Sequence, residues 1–121
     1  NTGVPICFYR PPGGYMTNVM AAASSQRLGV VLWSVDSRDW AQPAVTTPAA
    51  TAAIVRAATA DPGNNPVIVM HAAKASSEPE SQVHAHRGNT VAALPRIIEW
   101  YHARGYRFVD MAGRSGLSRT A

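Results

Sequence analysis

Residues Pro66 to Lys74 read PVIVMHAAK, four apolar side chains in a row that run into a histidine and then into a polar loop. Val67, Ile68, Val69 and Met70 show no alternation of apolar and polar, which is the pattern of a strand covered on both faces of a parallel sheet. His71 then falls at the carboxyl end of that strand, where α/β sheets place their ligands and their chemistry. A histidine in that place can equally be a core residue held by a neighbouring carbonyl. Two earlier strands, however, also end in reactive polar clusters. FYRPPGG closes with Arg10 to Gly14, and VVLWSVDSRDW closes with Asp36 to Trp40, so the sequence predicts one rim carrying Arg, Asp and His.

Taken in order, Asn1 to Pro5 form a short polar lead into a first strand over Ile6 to Tyr9. A helix is predicted from about Tyr15 to Leu28, with Met16, Val19, Met20, Ala23 and Leu28 on one face and Gly29 as its stop. Val30 to Val35 reads as the second strand. Thr47-Pro48 is a helix start, Thr as cap and Pro in the first turn, for an Ala-rich helix that runs to about Ala60. Asp61-Pro62-Gly63-Asn64 ends it, and the strand into His71 follows. Ala72 to Gly88 is a polar loop longer than a connection needs, the kind that carries function or disorder. Thr90 opens a last helix, with Val91, Leu94, Ile98 and Tyr101 on one face and Gly105 as its stop. Tyr106 to Met111 is predicted as a fourth strand, and the Gly-, Ser- and Arg-containing tail after it as poorly ordered.

This β-α-β-α-β-α-β order implies a parallel sheet with right-handed crossovers. If the strands step in one direction, the three helices lie on one face and leave an apolar sheet face uncovered. A closed (β/α) barrel would cover it, but four strands cannot close around a packed interior. The fold expected is therefore α/β, about four parallel strands and three helices, forming the second half of a larger barrel.

The bulk numbers set outer limits. A chain of 121 residues, 46% of them hydrophobic, is one domain's worth of material. Its single Cys7 excludes an internal disulfide and offers no paired-cysteine metal site. No apolar run of about 18 residues and no basic-then-apolar leader occurs, so neither a membrane span nor a signal peptide is expected. The net charge is +4, yet the cations, ten of eleven being Arg, are scattered singly, which argues against a nucleic-acid footprint.

The clusters together resemble a known family. Phe8-Tyr9-Arg10-Pro11-Pro12-Gly13-Gly14, Trp33-Ser34-Val35-Asp36-Ser37-Arg38-Asp39-Trp40, Val69-Met70-His71, Thr90-Val91-Ala92-Ala93-Leu94-Pro95 and Gly105-Tyr106-Arg107-Phe108-Val109 follow, in order and spacing, the C-terminal half of the polysaccharide deacetylases. These are the carbohydrate esterase family 4, or NodB-homology, enzymes. The resemblance covers nearly the whole of residues 1–121. It implies a distorted (β/α) barrel that uses a divalent metal, usually zinc, to remove acetyl groups from N-acetylated glycans such as peptidoglycan and chitin, or O-acetyl groups from xylan. It also implies a secreted or cell-wall-associated protein.

The departures from the family pattern concern the metal. The family's paired aspartates, catalytic base and first ligand, and its two histidine ligands one helical turn apart belong to an N-terminal half that residues 1–121 do not match. The resemblance thus assigns no metal ligand here and implies a complementary N-terminal polypeptide that brings them. His84 and His86 are a candidate substitute pair in the long loop, two residues apart. Gly13 stands where many members have an aromatic residue, and Ala72 where many have Asp.

Roles follow from chemistry and from the resemblance together. Attack of water on an acetamide carbonyl needs charge stabilisation at the oxygen and a proton for the departing amine. His71 is the rim group whose ordinary pKa suits that donation near neutral pH, and it resembles the family's general acid. Asp36 is expected to hold the imidazole in orientation and favour its protonated form, with Asp39 as the competitor for that place. Arg10 is expected to pair with the aspartate base of the other half, and Gly13 to offer its backbone N–H to the oxyanion. Trp40, Val69 and Trp33 are expected to line the acetyl pocket, although such side chains at strand ends are often plain core. The competing expectation is a non-catalytic module that binds glycan or protein through the rim or the uncovered sheet face.

Overall fold

The computed structural model describes Gly3 and residues 5–79, 81 and 83–115. The described residues form four short strands, β1 (Phe8–Tyr9), β2 (Gly29–Val30), β3 (Val35–Asp36) and β4 (Ile68–Val69), and three helices, α1 (Val19–Ser25) between β1 and β2 in the chain, α2 (Pro48–Thr59) between β3 and β4, and α3 (Gly88–His102) after β4. The strands pair in parallel as two two-stranded sheets, β1 with β2 and β3 with β4. Parallel pairing agrees with the sequence expectation, whereas the order, β-α-β-β-α-β-α, differs from the β-α-β-α-β-α-β expected, and no barrel is seen among the described residues. No helix among them is long and apolar enough to cross a membrane.

The chain divides into two compact units. The first holds residues 1–32 and 110–114. Here the Gly29 N–H donates to the Cys7 carbonyl and the Val31 N–H to that of Tyr9, both at 2.9 Å, which fixes β1 beside β2. α1 is shorter than its apolar pattern predicts because Asn18, before its first residue, takes a left-handed conformation (φ 58°) that cannot belong to the helix. Asp110 closes a turn on Arg114, accepting from its backbone N–H at 3.0 Å and its guanidinium Nε at 2.8 Å.

The second unit spans residues 33–109 together with residues 115–121, of which residue 115 is described. Its core is α2 against α3, with Ile54 and Ala58 meeting Ala93, Ile97 and Tyr101, and Ile68, Met70, Trp100 and Tyr106 packed around them. The Tyr101 hydroxyl donates to the Ala58 carbonyl at 2.7 Å, tying the end of α3 to the end of α2. Thr47 caps α2 as its sequence predicts, its Oγ1 accepting from the Ala50 N–H at 3.1 Å, with Pro48 as the first helical residue.

Two strand expectations need correction. Val30 to Val35 is not one strand but β2 and β3. Ser34 interrupts it, because its Oγ accepts the Val67 N–H at 3.1 Å, a donor that a regular ladder gives to a backbone carbonyl. Tyr106 to Met111 forms no strand: none of its backbone groups finds a ladder partner among the described residues, and Phe108, Val109 and Met111 are each about half exposed. Most of the tail, residues 116–121, and part of the N-terminal lead lie outside the described residues.

Candidate active site

β3 and β4 run side by side, Val35 beside Ile68 and Asp36 beside Val69, so their carboxyl ends open onto a common edge. Beyond β3 the chain turns sharply. Asp36 Oδ1 accepts the Arg38 N–H at 2.8 Å, and Arg38 takes a left-handed conformation (φ 53°). That reversal buries Ser37, whose hydroxyl donates to the Val69 carbonyl at 2.8 Å, and sends Asp39 back over the end of β4. Asp39 opens a single 3-10 turn through Ala41, and its side chain is fully buried.

His71 meets it there. The Asp39 carboxylate accepts the His71 backbone N–H on Oδ2 at 2.8 Å and lies 2.8 Å from His71 Nδ1 through Oδ1. A third donor, the Thr90 hydroxyl in the first turn of α3, reaches Oδ2 at 3.0 Å. Burial alone pushes a carboxyl upward in pKa. The hydrogen bonds from the His71 backbone, the His71 ring and Thr90 outweigh that and hold Asp39 below 3.8. An ionised carboxylate only accepts, so Nδ1 carries the ring proton toward Asp39. Nε2 is then the nitrogen left to exchange a proton, on a side chain that is about one-third exposed.

This corrects the sequence expectation that Asp36 orients His71. Asp36 is exposed and its carboxylate is engaged in its own turn, whereas Asp39 grips the ring. The turn itself explains the difference. Asp followed two residues later by a residue that turns the chain is the pattern of an aspartate bonding its own backbone, which leaves the next acid along to do other work. Thr90, read from the sequence as a helix start, is the third residue of α3 and spends its hydroxyl on Asp39 instead. Nothing in the sequence pattern marks that contact.

The other expected site residues are placed as follows. Trp40 is half-buried, with the Arg38 guanidinium 5.8 Å from its ring centroid. Trp33, in the segment that follows β2 and precedes β3 in the chain, is half-buried. Val69 is 2% exposed, so its side chain belongs to the interior and lines no open surface, contrary to the pocket expectation. Arg10 is exposed just after β1, in the first unit. Gly13, in the same unit, sits in a 3-10 turn with φ 63°, and a Cβ there would come within 2.6 Å of the Tyr15 ring.

The long loop holds the candidate histidine pair. His86 Nε2 lies 2.9 Å from Thr46 Oγ1, and His84 is half-buried. Among the described residues no three His, Cys, Asp or Glu side chains converge to hold a metal ion. The donor set of the described residues does not make a metal site.

A buried carboxylate gripping a histidine at the carboxyl ends of parallel strands is a layout for proton transfer, as in enzymes built on α/β sheets. Comparison with known proteins narrows that class. The chain is 33% identical over 96 residues to a chitooligosaccharide deacetylase of Sinorhizobium fredii, across 79% of this chain and 42% of that protein. It is 32% identical over 107 residues to a peptidoglycan-N-acetylglucosamine deacetylase of Bacillus cereus, across 86% of this chain and 43% of that one. Among solved structures, a family 4 carbohydrate esterase from Streptomyces lividans in complex with acetate superposes with a TM-score of 0.57 at 30% identity. That superposition covers 90% of this chain and 48% of the esterase. No family model matches the sequence. Over 79–90% of its own length the chain is similar to the polysaccharide deacetylases, the family 4 carbohydrate esterases, and it spans less than half the length of the relatives it matches.

Proposed function

We propose that this chain supplies the general-acid half of a metal-dependent polysaccharide deacetylase, which hydrolyses acetyl groups from N-acetylated or O-acetylated glycans. The observation that carries the reading is the pair formed by His71 and the buried, ionised Asp39. Cleavage of an acetamide breaks the C–N bond, gives the hydroxyl of water to the acetyl carbon and needs a proton at the departing nitrogen. His71 delivers that proton from Nε2 while Asp39 holds Nδ1–H and stabilises the imidazolium. Arg10 takes the role of ion-pair partner to an aspartate base outside this chain, and Gly13 that of backbone donor to the oxyanion.

The divalent metal, zinc in this proposal, and the base are assigned to a complementary N-terminal half of the fold. The share of each relative left unmatched, more than half of its length, supports that division. Exposed apolar side chains support it as well. Val91, Leu94 and Ile98, at i, i+3 and i+7 along α3, are each at least 40% exposed, an apolar stripe on which such a half could pack. The family relationship further suggests a secreted or cell-wall-associated enzyme acting on acetylated glycan.

Native mass spectrometry tests the division. The expected result is a complex with a polypeptide of comparable length carrying an Asp-Asp pair and two His four residues apart, and that complex releases acetate from an N-acetylglucosamine oligomer. A stable, soluble 12.9 kDa monomer, with no gain of activity on adding such a half, would count against it.

A further inference from the structure

Asp39 has two oxygens, and three donors reach them. The His71 backbone N–H and the Thr90 hydroxyl share Oδ2, while the ring Nδ1 faces Oδ1. The terminal torsion of an aspartate is broad and nearly two-fold, so one donor does not fix which way a carboxylate faces. Two donors on Oδ2 do, and they leave Oδ1 aimed at the ring. One of the two is backbone on β4's continuation; the other is a side chain on α3.

α3 is in turn anchored beside it. The neighbouring Asn89, 2% exposed, accepts from the Thr47 N–H at 2.9 Å and donates from Nδ2 to the Val45 carbonyl at 2.8 Å and that of Pro43 at 3.3 Å. The first turn of α3 is thereby pinned to the loop before α2, and Thr90 is delivered to Asp39 by rigid elements. Its branched side chain has few χ1 choices there, and at 9% exposure its hydroxyl meets little competing water.

We infer that Thr90 is a positioning residue: its hydroxyl, given to Asp39 Oδ2, locks the carboxylate so that His71 is held as the Nδ1–H tautomer with Nε2 directed outward. For its effect on turnover the inference rests on the deacetylase reading; for the tautomer it does not. A neutral imidazole free in water favours the proton on Nε2, so holding it on Nδ1 requires a fixed acceptor. Hydrogen bonds to a charged group are each worth about a factor of ten or more, which is the scale on which loss of the Thr90 hydroxyl should be felt.

The test uses the chain labelled with ¹⁵N-histidine, with His71→Ala assigning the His71 ring resonances. At a pH where the ring is neutral, wild type should show His71 as the Nδ1–H tautomer. Thr90→Val, which keeps the branched shape and removes the donor, should mix in the Nε2–H form; Thr90→Ser should restore the wild-type pattern. Thr90→Ala gives the same reading should valine crowd the site. In the complex with a complementary deacetylase half, Thr90→Val should lower kcat about 10-fold with KM within about two-fold, and Thr90→Ser should recover most of it. A Thr90→Val or Thr90→Ala tautomer pattern identical to wild type overturns the inference. If instead His71→Ala leaves turnover intact, the deacetylase reading fails, and the tautomer pattern still decides the role of Thr90.

Discussion

Asp39 holds His71 twice, once by its backbone N–H and once by its ring, each at 2.8 Å. The double contact couples the path of the chain leaving β4 to the orientation of the imidazole. A carboxylate that bonded only the ring would let the ring follow it; here the same carboxylate fixes the residue's backbone, so ring and strand end move as one body.

Stability in acid should report this carboxylate. Burial raises the Asp39 pKa, but the hydrogen bonds from His71 and Thr90 prevail and its folded-state value lies below 3.8. A group whose folded pKa is depressed contributes stability that is complete above its unfolded value and is lost as pH falls through the folded one. The melting temperature of wild type should therefore drop below about pH 4. Asp110, lowered by the backbone and then the side chain of Arg114, acts in the same direction. The informative quantity is thus the gap in Tm between wild type and Asp39→Asn, which should be widest at neutral pH and narrow as the pH falls below 3.8. A gap that stays constant across that range would show that Asp39 is not ionised in the folded chain.

Gly13 should resist replacement for reasons of backbone alone. At φ 63° a residue with a Cβ costs about 1–2 kcal/mol. The ring that the Cβ would strike belongs to Tyr15, which is 79% exposed and free to swing aside, so the steric addition is small. Gly13→Ala is expected to lose that amount in urea denaturation, and Gly13→Asn less, since Asn tolerates the left-handed region. Equal losses for the two would place the cost in packing instead.

Much of this arrangement is written locally in the sequence, and the parts that are not share a cause. α2 was legible because Thr47-Pro48 and Asp61-Pro62 mark its ends with local chemistry. β4 and the place of His71 were legible because a run of four apolar residues ending in a polar loop has few other uses. The choice between Asp36 and Asp39 was not, because it depends on Arg38 adopting a left-handed turn that reverses the chain over β4. Thr90 was illegible for a stronger reason: its contact joins residues 51 positions apart, and a threonine near a helix start looks the same whether it caps the helix or bonds a distant acid. The expected fourth strand had the right side chains, but a strand exists only when a neighbour takes its backbone groups.

The contact between the ends of α2 and α3 offers a measure of how far the second unit stands alone. Tyr101 is 1% exposed and its hydroxyl donates to the Ala58 carbonyl at 2.7 Å, while its ring meets Trp100 and Tyr106 edge-on, each with centroids 5.0 Å apart. Tyr101→Phe keeps the ring contacts and leaves a buried carbonyl without its donor, at a cost of about 1–2 kcal/mol. Ile97→Ala removes core volume and should cost about 2–5 kcal/mol. Denaturant midpoints give both values, and a Tyr101→Phe loss as large as that of Ile97→Ala would mean the hydroxyl organises more than one carbonyl.

The last expectation separates the two aspartates by function. In a complex competent for turnover, His71→Ala should slow acetate release from an N-acetylglucosamine oligomer by about 100-fold or more, since a positioned general acid contributes about two to four orders of magnitude. Substrate binding should change far less, because the imidazole acts chiefly as the amine departs. Asp39→Asn should also slow turnover, because an amide replaces one accepting oxygen with a donor where three donors converge. Combining it with His71→Ala should add little, since the acid and its holder act as one unit. Asp36→Asn should leave turnover within about two-fold, because an amide oxygen can still accept the Arg38 N–H that Asp36 now holds. Steady-state kinetics on the four variants decide the matter. Strong loss at Asp36 with little at Asp39 would overturn the geometric assignment, whereas additive losses at Asp39 and His71 would show two residues that touch without working together.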